Sequence, residues 1–527
     1  LALSVALSLQ PCVWGDSGSL IEAVKNQDRP TIDRFLSQRL ELNLDVNATQ
    51  PDGATALHWA AHRGDIETGR ALIESGANAD AQNDFGVTPL SLACTRGSVE
   101  LIRLLLNAGA DPNLALPTGE TPLMTASRTG ILEAVNELLE HGARVDDHQE
   151  SRHQTALMWA LSEEHGDVAA TLIDHGADIH ATTKSGFSPI LFAARCGDLE
   201  SMQRLIEAGA DVNAASHARH SVLHVATMRG HSDLAMFLLE HGADPNADGP
   251  GFTALHWAAG SWETETTGPL GIVAPPDHEW SAMGGVQIGK QKLVESLLDH
   301  GADPNVHMRD RPLRYGMTKP ARNEKIRDST PFMLAALAGE VDIMQMLVDR
   351  GADPLAKTEF GITAIMLAAG VNSLTTEMVI SIEDSLAAIK LCEDLGADIN
   401  EADTYWGHTP MHGAAQLRSV ELIRYLVDQT ADVNAMNFRG QTPLYLADRY
   451  WRQSGSETYD PTPAGDLLRT LTAPEMVSKT TIENNRFLMG DPVYPAGCRV
   501  HLSIGGTPSF ARDVFVMAFD GKVDLSD

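Results

Sequence analysis

Apolar and polar positions along most of this chain recur in blocks of about 33 residues. In one block, residues 88–97 combine small and apolar side chains, and residues 99–108 place Leu and Ile at helical spacing. Gly109 then supplies a helix end, and Asp and Asn after it shape a turn. The pattern predicts two short helices per block, whose apolar stripe must be buried against the next block.

Each block opens with Thr or Ser, which can accept a backbone N–H at the start of the first helix. A Pro at the following position favours the helical angle without losing a hydrogen-bond donor. The first five steps between these openings are 33, 33, 34, 33 and 33 residues. The openings are Thr55, Thr88, Thr121, Thr155, Ser188, Ser221, Thr253, Thr330, Thr363, Thr409 and Thr442.

The opening motif (Thr409-Pro-Met-His412) and the closing motif (Gly109-Ala-Asp-Pro-Asn113) resemble the signature of the ankyrin repeat family. The match runs from about Ser19 to Ala473. It implies an all-α repeat solenoid of about eleven stacked helix-turn-helix units with projecting β-hairpin loops. It also implies protein–protein contacts made by hairpin tips and inner helices. The candidate tip positions are Phe85, Thr118, Lys184, Ser185 and Phe187.

The blocks are interrupted in the second half of the chain, which defines the predicted domain organisation. The predicted segments are a signal-peptide remnant (1–15), an N-terminal capping repeat (16–51), regular repeats (52–249), repeats with insertions (250–473) and a non-ankyrin tail (474–527). Thr253 and Gly301 are separated by 48 residues where 21 are usual, so 261–289 is the first insertion. It carries Trp262 and Trp280, and it is either a lid on the solenoid or a recognition element.

The second insertion, 309–327, is basic, with a local charge of +5 in a chain of net charge −32. It either neutralises the protein's own acidic surface, contacts an acidic partner or is a proteolytic site. The third insertion, 370–385, is mixed in character. The basic side chains of the second insertion are Arg309, Arg311, Arg314, Lys319, Arg322, Lys325 and Arg327.

A row of arginines marks the ends of the first helices at nearly the same register. The row comprises Arg63, Arg96, Arg128, Arg195 and Arg229. Stacked repeats would align them along the concave side as a ligand-binding ladder. The alternative is structural, because basic side chains near a helix C-terminus are favoured by the helix dipole.

Two rows of histidines invite a metal interpretation, which the spacing disfavours. His58, His224, His256 and His412 lie one per block, where the family uses the imidazole to bond backbone and tie repeats together. His141, His175, His241 and His300 precede the terminating glycine and suit a helix C-terminus. Neither row brings three ligands together, so we predict no metal site and no cofactor.

No motif in the chain predicts catalysis. The sequence contains no P-loop, no G-x-S-x-G elbow and no H-E-x-x-H helix. No two of its five cysteines have C-x-x-C spacing, and Cys94 and Cys392 are expected to be buried packing residues. We therefore predict a binding protein without catalytic residues.

Charge and the first residues bear on partners and location. A net charge of −32 repels phosphate groups, so nucleic acid and anionic membranes are poor partners. A protein partner with a basic patch, or a cation, is the better electrostatic match. Residues 1–15, LALSVALSLQPCVWG, are typical of a signal-peptide remnant. We expect a periplasmic or extracellular protein without a stable membrane insertion, and a monomer. The combination with irregular insertions resembles secreted bacterial ankyrin proteins.

The tail after Pro474 loses the block pattern. Residues 499–504 alternate apolar and polar, and residues 514–519 are apolar and β-branched, which predicts a small β element. Two alternatives to a simple scaffold stay open. The chain is an accessory or inhibitory subunit of a secreted enzyme, or its tail binds a ligand or has an activity of its own.

Overall fold

The computed structural model describes residues 17–260, 289–309, 327–371, 380–451, 457–459, 461–472, 499–501 and 515–517. The chain divides into two compact units, Leu1–Val225 and Ala226–Asp527. Both consist of short paired helices joined by turns, and the named strands of the described ranges form two antiparallel pairs. This is the helical repeat solenoid that the sequence predicts.

The helices of the first unit alternate between first and second members of a repeat. In chain order they are α1 (Ser17–Lys25), α2 (Arg29–Ser37), α3 (Ala56–Arg63), α4 (Ile66–Glu74), α5 (Pro89–Arg96), α6 (Val99–Asn107), α7 (Pro122–Thr129), α8 (Leu132–Glu140), α9 (Ala156–Ser162), α10 (Gly166–Asp174), α11 (Pro189–Cys196) and α12 (Leu199–Glu207). Next is α13 (Val222–Met228). First helices pack on neighbouring first helices, and second helices pack on neighbouring second helices.

The predicted start and stop signals set the helix bounds. Thr55 accepts a hydrogen bond from the backbone N–H of His58, which satisfies a donor at the start of α3. At the other end, Gly64 has a φ of 68°, a left-handed conformation in which glycine is unstrained. Each first helix therefore spans about two turns between the hairpin and the helix–helix turn.

The second helices bury one stripe. On α6, Leu101, Ile102 and Leu105 are fully buried, while Glu100 on the opposite side is exposed. Such a stripe, inserted between neighbouring helices, removes apolar area from water at roughly 25 cal/mol per Å². The predicted packing role of Cys94 is confirmed, since its side chain is fully buried on α5.

The helices of the second unit follow the same alternation. They are α14 (Ser232–Glu240), α15 (Ala254–Ala259), α16 (Lys290–Asp299), α17 (Pro331–Ala338), α18 (Val341–Asp349), α19 (Ala364–Ala368), α20 (Ile382–Asp394), α21 (Pro410–Gln416), α22 (Val420–Asp428), α23 (Pro443–Asp448) and α24 (Pro463–Leu471). Cys392 on α20 is buried, as predicted. No helix within the described ranges is both long and apolar enough to span a bilayer.

The first insertion leaves from α15 and returns at α16, between the two helices of one repeat. Lys290 joins the two ends of this insertion, because its Nζ donates to the carbonyl of Gly260 at 2.7 Å. The same Nζ forms an ion pair with Glu340 of the next repeat at 2.9 Å. Burial lowers the pKa of Lys290, and the Glu340 contact opposes that shift. Residues 261–288 lie outside the described ranges.

The third insertion is partly helix, which the sequence did not predict. α20 is 13 residues long, whereas most second helices have nine. Its first turn, starting at Ile382, uses residues assigned to the insertion 370–385. Ser381 caps this turn by accepting from the backbone N–H of Asp384 at 3.0 Å, so the helix begins earlier than in other repeats.

The last repeat holds a further insertion that the sequence pattern did not predict. Strands β1 (Arg449–Trp451) and β2 (Glu457–Tyr459) pair antiparallel between α23 and α24. Asp448, at the end of α23, connects the two sides of this strand pair. Its carboxylate accepts a hydrogen bond from the N–H of Thr462 at 3.2 Å and forms an ion pair with Arg469 on α24. The two helices of the last repeat, α23 and α24, therefore pack together although the strand pair separates them in sequence.

The tail contributes one more strand pair, β3 (Arg499–His501) with β4 (Phe515–Met517). Both lie inside the ranges predicted to be extended. Since the rest of 473–527 lies outside the described ranges, the small β element stays a prediction. So do the domain boundaries.

Candidate functional site

Three successive hairpins of the second unit bring three aromatic rings and one guanidinium together. We call this group the tip cluster: Phe360, Tyr405, Trp406 and Arg439. The ring centroids of Phe360 and Tyr405 are 5.0 Å apart, and those of Tyr405 and Trp406 are also 5.0 Å apart, with the planes nearly perpendicular in the second pair. The guanidinium of Arg439 lies 3.9 Å from the Trp406 ring centroid, within the range of a cation–π contact. The four side chains form one continuous group.

Backbone hydrogen bonds fix the three tips relative to one another. The N–H of Thr404 donates to the carbonyl of Phe360 at 2.8 Å, and the N–H of Phe438 donates to the carbonyl of Trp406 at 2.7 Å. Neighbouring tips are therefore bonded edge to edge. A cluster held this way loses little conformational freedom on binding.

The middle tip is organised by a buried carboxylate. Asp403 is 2% exposed and accepts hydrogen bonds from the backbone N–H groups of Tyr405 at 2.9 Å, Trp406 at 2.6 Å and His408 at 3.0 Å. Several N–H donors on one carboxylate satisfy a charge that burial alone would penalise. Asp403 thus presents Tyr405 and Trp406 in a fixed orientation.

The tip cluster is chemically suited to contact another protein. Its three rings are half-buried and Arg439 is exposed, so apolar ring area and a stacked cation reach the surface together. Trp, Tyr and Arg are the residue types that most often dominate binding energy at protein interfaces. These residues are not among the contact positions predicted from the sequence, although the tip positions of consecutive repeats do contain a run of aromatic residues.

Four of the five predicted tip residues do lie at the surface of the first unit. Phe85 is 66% exposed, and Thr118 and Lys184 are exposed. Lys184 Nζ donates to the carbonyl of Glu150 in the preceding hairpin at 2.6 Å. Ser185 is half-buried, with its Oγ 2.9 Å from Thr183 Oγ1.

Phe187 is a correction, because it is fully buried and cannot be a contact residue in the folded repeat. It directly precedes Ser188, the residue before α11, and a side chain there points into the core. Its ring packs edge-on against Phe192 with centroids 5.8 Å apart. The residue before the helix cap is likewise buried at Phe252 and Ile362. Phe85, two places further from its helix, points outwards instead.

The arginine row exists in the first unit, but much of it is engaged within the protein. Arg63 donates to the carbonyl of Lys25 at 3.2 Å, and Arg96 is exposed. Arg128 lies 5.6 Å from the Trp159 ring and 3.6 Å from Glu120. These partners reduce the cationic character that a ligand would meet.

The row is also interrupted. In α9 the row position is occupied by Ser162 instead of an arginine. Arg195, in the next repeat, donates a hydrogen bond to Ser162 Oγ at 2.8 Å. Arg229 belongs to the second unit and is half-buried. The structure therefore shows separate arginines with local partners, and a ligand-binding role for them stays a prediction.

The first histidine row has the structural role expected from the resemblance. His58 Nδ1 lies 3.1 Å from the N–H of Thr55, and His58 Nε2 lies 2.9 Å from the carbonyl of Val87 in the next repeat. Since Nδ1 receives the backbone N–H, Nε2 carries the proton and donates. Burial lowers the pKa of His58, so this neutral form is favoured.

The second histidine row caps helix ends. His141 and His300 each place Nδ1 2.8 Å from the backbone carbonyl four residues earlier. Across the ranges that the structure describes, no group of three or more His, Cys, Asp or Glu residues is arranged to hold a metal ion.

Several predicted contact residues lie outside the described ranges. They are Trp262, Trp280, Arg311, Arg314, Lys319, Arg322 and Lys325. The two ends of the second insertion are described. Arg309 pairs with the carboxylate of Asp248, and Arg327 Nε donates to the carbonyl of Arg309 at 3.1 Å.

Those ends form a closed root, made of Met308, Arg309, Asp328 and Ser329. The N–H of Met308 donates to the carbonyl of Ser329 at 3.0 Å, and the N–H of Asp328 donates to the carbonyl of Met308 at 2.8 Å. Arg309 also donates its N–H to the carbonyl of Gly251 in the preceding hairpin at 2.7 Å. The insertion therefore leaves from the hairpin side, as the sequence predicts.

Comparison with known proteins agrees with this architecture. The family model "Ankyrin repeats (3 copies)" matches residues 20–115, 108–183, 190–266 and 378–454, and the model "Ankyrin repeat" matches residues 327–359. The mouse (Mus musculus) RelA-associated inhibitor is 28% identical over 148 residues, which cover 28% of this chain and 16% of that protein. The mouse B-cell lymphoma 3 protein homolog is 31% identical over 143 residues, covering 22% and 32%. This chain thus spans less than two thirds of either relative's length.

Solved structures similar to this chain include two ankyrin repeat domains. The human ASB11 domain shares 25% identity and a TM-score of 0.38, covering 43% of this chain and 98% of that one. The Bcl-3 domain shares 31% identity and a TM-score of 0.36, covering 39% and 93%. The family models alone account for more than half of the chain, and their repeats are units of protein–protein interaction. The chain belongs to the ankyrin repeat family.

Proposed function

We propose that this chain is an exported scaffold that binds a protein partner through its concave face, its hairpin tips and its inserted arms, without catalysing a reaction. The observation that carries the binding surface is the tip cluster. Bonded tips present Tyr405, Trp406 and Arg439 together at a partly exposed surface. An interface centred there would have a rigid aromatic anchor, as strong protein contacts usually do.

The position of the second insertion also supports the hairpin side of the repeats as the binding surface. Its root joins the next hairpin, because the N–H of Glu359 donates to the carboxylate of Asp328 at 2.6 Å. Glu359 is followed by Phe360 of the tip cluster, so the basic insertion starts beside the aromatic surface. The insertion's charge of +5 favours a partner with an acidic patch near an apolar one.

Other parts of the proposal rest on composition. A net charge of −32 disfavours nucleic acid as the partner. The apolar run in residues 1–10, with Val13 and Gly15 after it, supports export to the periplasm or the extracellular space. We also propose a monomer. Fractionation of cells carrying a reporter fused after residue 30 tests export, and a reporter found wholly in the cytosol argues against it.

A binding experiment on the full chain tests the scaffold role. The chain and its Trp406→Ala and Arg439→Ala variants serve as baits for exported proteins, and cross-linking with mass spectrometry maps the contacts of any captured partner. We expect both variants to weaken capture about tenfold or more, because removing a central anchor typically costs 2 kcal/mol or more.

The matched control is Leu199→Ala, which removes an exposed apolar side chain from the first unit. Its capture should equal that of the unchanged chain. Cross-links confined to surfaces away from the hairpin tips, with full capture by both tip variants, would contradict the tip cluster as the contact.

An accessory or inhibitory subunit is a second candidate. One relative, the RelA-associated inhibitor, is named for association and inhibition, and its similarity lies in a region of 148 residues. If the captured partner is an enzyme, its turnover with and without the purified chain distinguishes inhibition from simple scaffolding. Unchanged turnover at saturating chain removes this candidate.

A further inference from the structure

A buried histidine connects two hairpins of the tip cluster. His408 is 7% exposed and lies on the middle hairpin, which also carries Tyr405 and Trp406. Its Nε2 lies 3.1 Å from the side-chain Nδ2 of Asn437, on the hairpin that carries Arg439. The contact therefore joins the hairpin of Trp406 to the hairpin of Arg439.

The orientation of the Asn437 amide is fixed by its other partners. Its Oδ1 accepts hydrogen bonds from the backbone N–H groups of Arg439 at 3.0 Å and Gln441 at 2.9 Å, which only the oxygen of the amide can do. Its Nδ2 donates one hydrogen to Gln441 Oε1 at 3.0 Å. The second hydrogen of Nδ2 is donated to His408 Nε2, so this ring nitrogen is an acceptor.

This hydrogen bond requires a neutral imidazole. A ring nitrogen that accepts carries no proton, so His408 holds its single N–H on Nδ1. That nitrogen lies 3.7 Å from Oδ2 of Asp403. Protonation of Nε2 would place an N–H of His408 against an N–H of Asn437, and two facing donors cannot form a hydrogen bond. The bond between the two hairpins therefore exists only while His408 is neutral.

Rotation of the Asn437 amide does not remove the conflict. Turning Oδ1 towards His408 would turn Nδ2 towards the backbone N–H groups of Arg439 and Gln441, which would then lose their acceptor. Those N–H groups shape the hairpin that holds the Arg439 guanidinium 3.9 Å from the Trp406 ring centroid. In either orientation of the amide, a proton on His408 loosens this hairpin.

The charges around His408 determine how readily it takes up a proton. Asp403 is 2% exposed, and a buried carboxylate this close to the ring favours the imidazolium. The ring of His412 on α21 has its centroid 5.5 Å away, and burial lowers the pKa of that histidine to about 4. Arg439 is the charged residue of the next hairpin and is exposed. Asp403 is thus the buried charge that acts on His408 at moderately acidic pH.

The preceding hairpin adds no buried charge. Its buried positions, Thr358 and Ile362, are uncharged. Its charged residues, Lys357 and Glu359, are exposed, and Lys357 forms an ion pair with Glu401. Exposed charges are screened by water and salt, so their effect on a buried imidazole is small.

The first unit contains an equivalent histidine with a serine in the place of Asp403. His220 directly precedes a helix cap, as His408 does. The N–H of Ser216 donates to the carbonyl of His220 at 3.0 Å, and the N–H of Asp403 donates to that of His408 at 2.9 Å. Burial lowers the pKa of His220 from 6.5 to about 4. A carboxylate in the serine's place shifts proton uptake to milder acid.

We propose that His408 is a pH-sensitive switch of the tip cluster. Neutral His408 holds the Arg439 hairpin against Trp406, and protonated His408 releases that hairpin. The proposal rests on the binding role proposed above and adds its regulation. A partner bound through the tip cluster is held at neutral pH and released in mild acid, because a loosened hairpin must be ordered again on binding.

A titration of the full chain tests the switch without a partner. Tryptophan is replaced during expression by 5-fluorotryptophan, and the fluorine resonance of Trp406 is identified by its loss in Trp406→Phe. We expect this resonance to shift between about pH 7.5 and about pH 4.5 along a one-proton curve, as the guanidinium leaves the ring. Far-UV circular dichroism at each pH shows whether the chain stays folded.

Three variants separate the switch from general effects of acid. His408→Gln should abolish the shift, because glutamine can accept the Asn437 hydrogen and does not titrate in this range. Asn437→Asp keeps an Oδ1 acceptor for the two backbone N–H groups but replaces the donor with a carboxylate oxygen. It should raise the midpoint by about one pH unit or more. His220→Gln is the control and should leave the Trp406 curve unchanged.

Three results would overturn the proposal. They are a Trp406 resonance that does not shift in the unchanged chain, the same midpoint in the unchanged chain and in His408→Gln, and a shift that coincides with loss of helical circular dichroism. None of them depends on a captured partner. Full capture by the Trp406→Ala and Arg439→Ala baits would contradict the tip cluster as the contact but leave the titration interpretable. Failure of the switch and failure of the scaffold role are therefore distinguishable.

Discussion

Asn305 binds the turn of the following repeat, because its side-chain Oδ1 accepts a hydrogen bond from the backbone N–H of Asp353 at 2.7 Å. Its Nδ2 donates to the carbonyl of Gly351 at 2.8 Å. Asn246 makes the same two bonds one repeat earlier. One asparagine in the closing motif therefore satisfies a donor and an acceptor where the next repeat's second helix ends.

Replacing Asn305 with alanine should lower the free energy of unfolding by roughly 1–2 kcal/mol, since both bonds are lost. Urea unfolding followed by circular dichroism measures the change. Gln345→Ala is the control, because the Gln345 amide donates to Asp349, one turn away on the same helix. Its effect should stay within about 0.5 kcal/mol. Equal losses for the two variants would show that the Asn305 bonds add nothing beyond an ordinary surface contact.

Buried histidines should make the protein sensitive to mild acid. Burial lowers the pKa of His412 from its ordinary value of 6.5 to about 4, and the hydrogen bond to the carbonyl of Gln441 opposes this only in part. Between pH 6.5 and pH 4, His412 is protonated in the unfolded chain but stays neutral in the folded chain. Stability from this site is thus complete above pH 6.5 and is lost as the pH falls towards 4.

The His412→Gln variant should lose less stability than the unchanged chain between pH 7.5 and pH 5. We expect a difference on the order of 1–2 kcal/mol, compared by urea unfolding at the two pH values. His300→Gln, at an exposed helix end, is the control and should leave the pH dependence unchanged. An identical pH dependence for His412→Gln and the unchanged chain would mean that other groups cause any acid sensitivity.

Two phenylalanines, on hairpins three repeats apart, should behave in opposite ways. Phe187→Ala should cost about 3–5 kcal/mol of stability, because it leaves a cavity beside Phe192. Phe85 is 66% exposed, so Phe85→Ala should change stability by less than about 0.5 kcal/mol. Thermal unfolding of both variants decides the matter. A larger loss from Phe85→Ala than from Phe187→Ala would reverse the assignment of core and surface.

The repeat itself could be predicted closely from the sequence because its signals are local. Thr55 caps a helix and His58 bonds the next repeat through atoms that lie within one turn or one period of each other. The same residue types recur at the same spacing, so each repeat confirms the others. The burial of Cys94 follows from its place among small residues on a first helix.

The remaining features depend on details that one position can change. Phe187 looked like a tip residue, yet a shift of two places along the hairpin moves a side chain from the surface to the core. Glu164 adopts a left-handed conformation that a pattern search assigns to glycine. The aromatic contacts of Tyr405 and Trp406 join different repeats, so no single block contains the signal.

The closed root of the second insertion allows the inserted segment and the stacked repeats to change separately during evolution. Met308 and Ser329 are bonded to each other, so the two ends of the insertion are joined by residues that lie outside 310–326. Lengthening such a segment adds only slowly to the entropy of closure. Lineages of this protein can therefore exchange the sequence beyond the root while inheriting the stacked repeats unchanged. Recognition can then diverge faster than architecture.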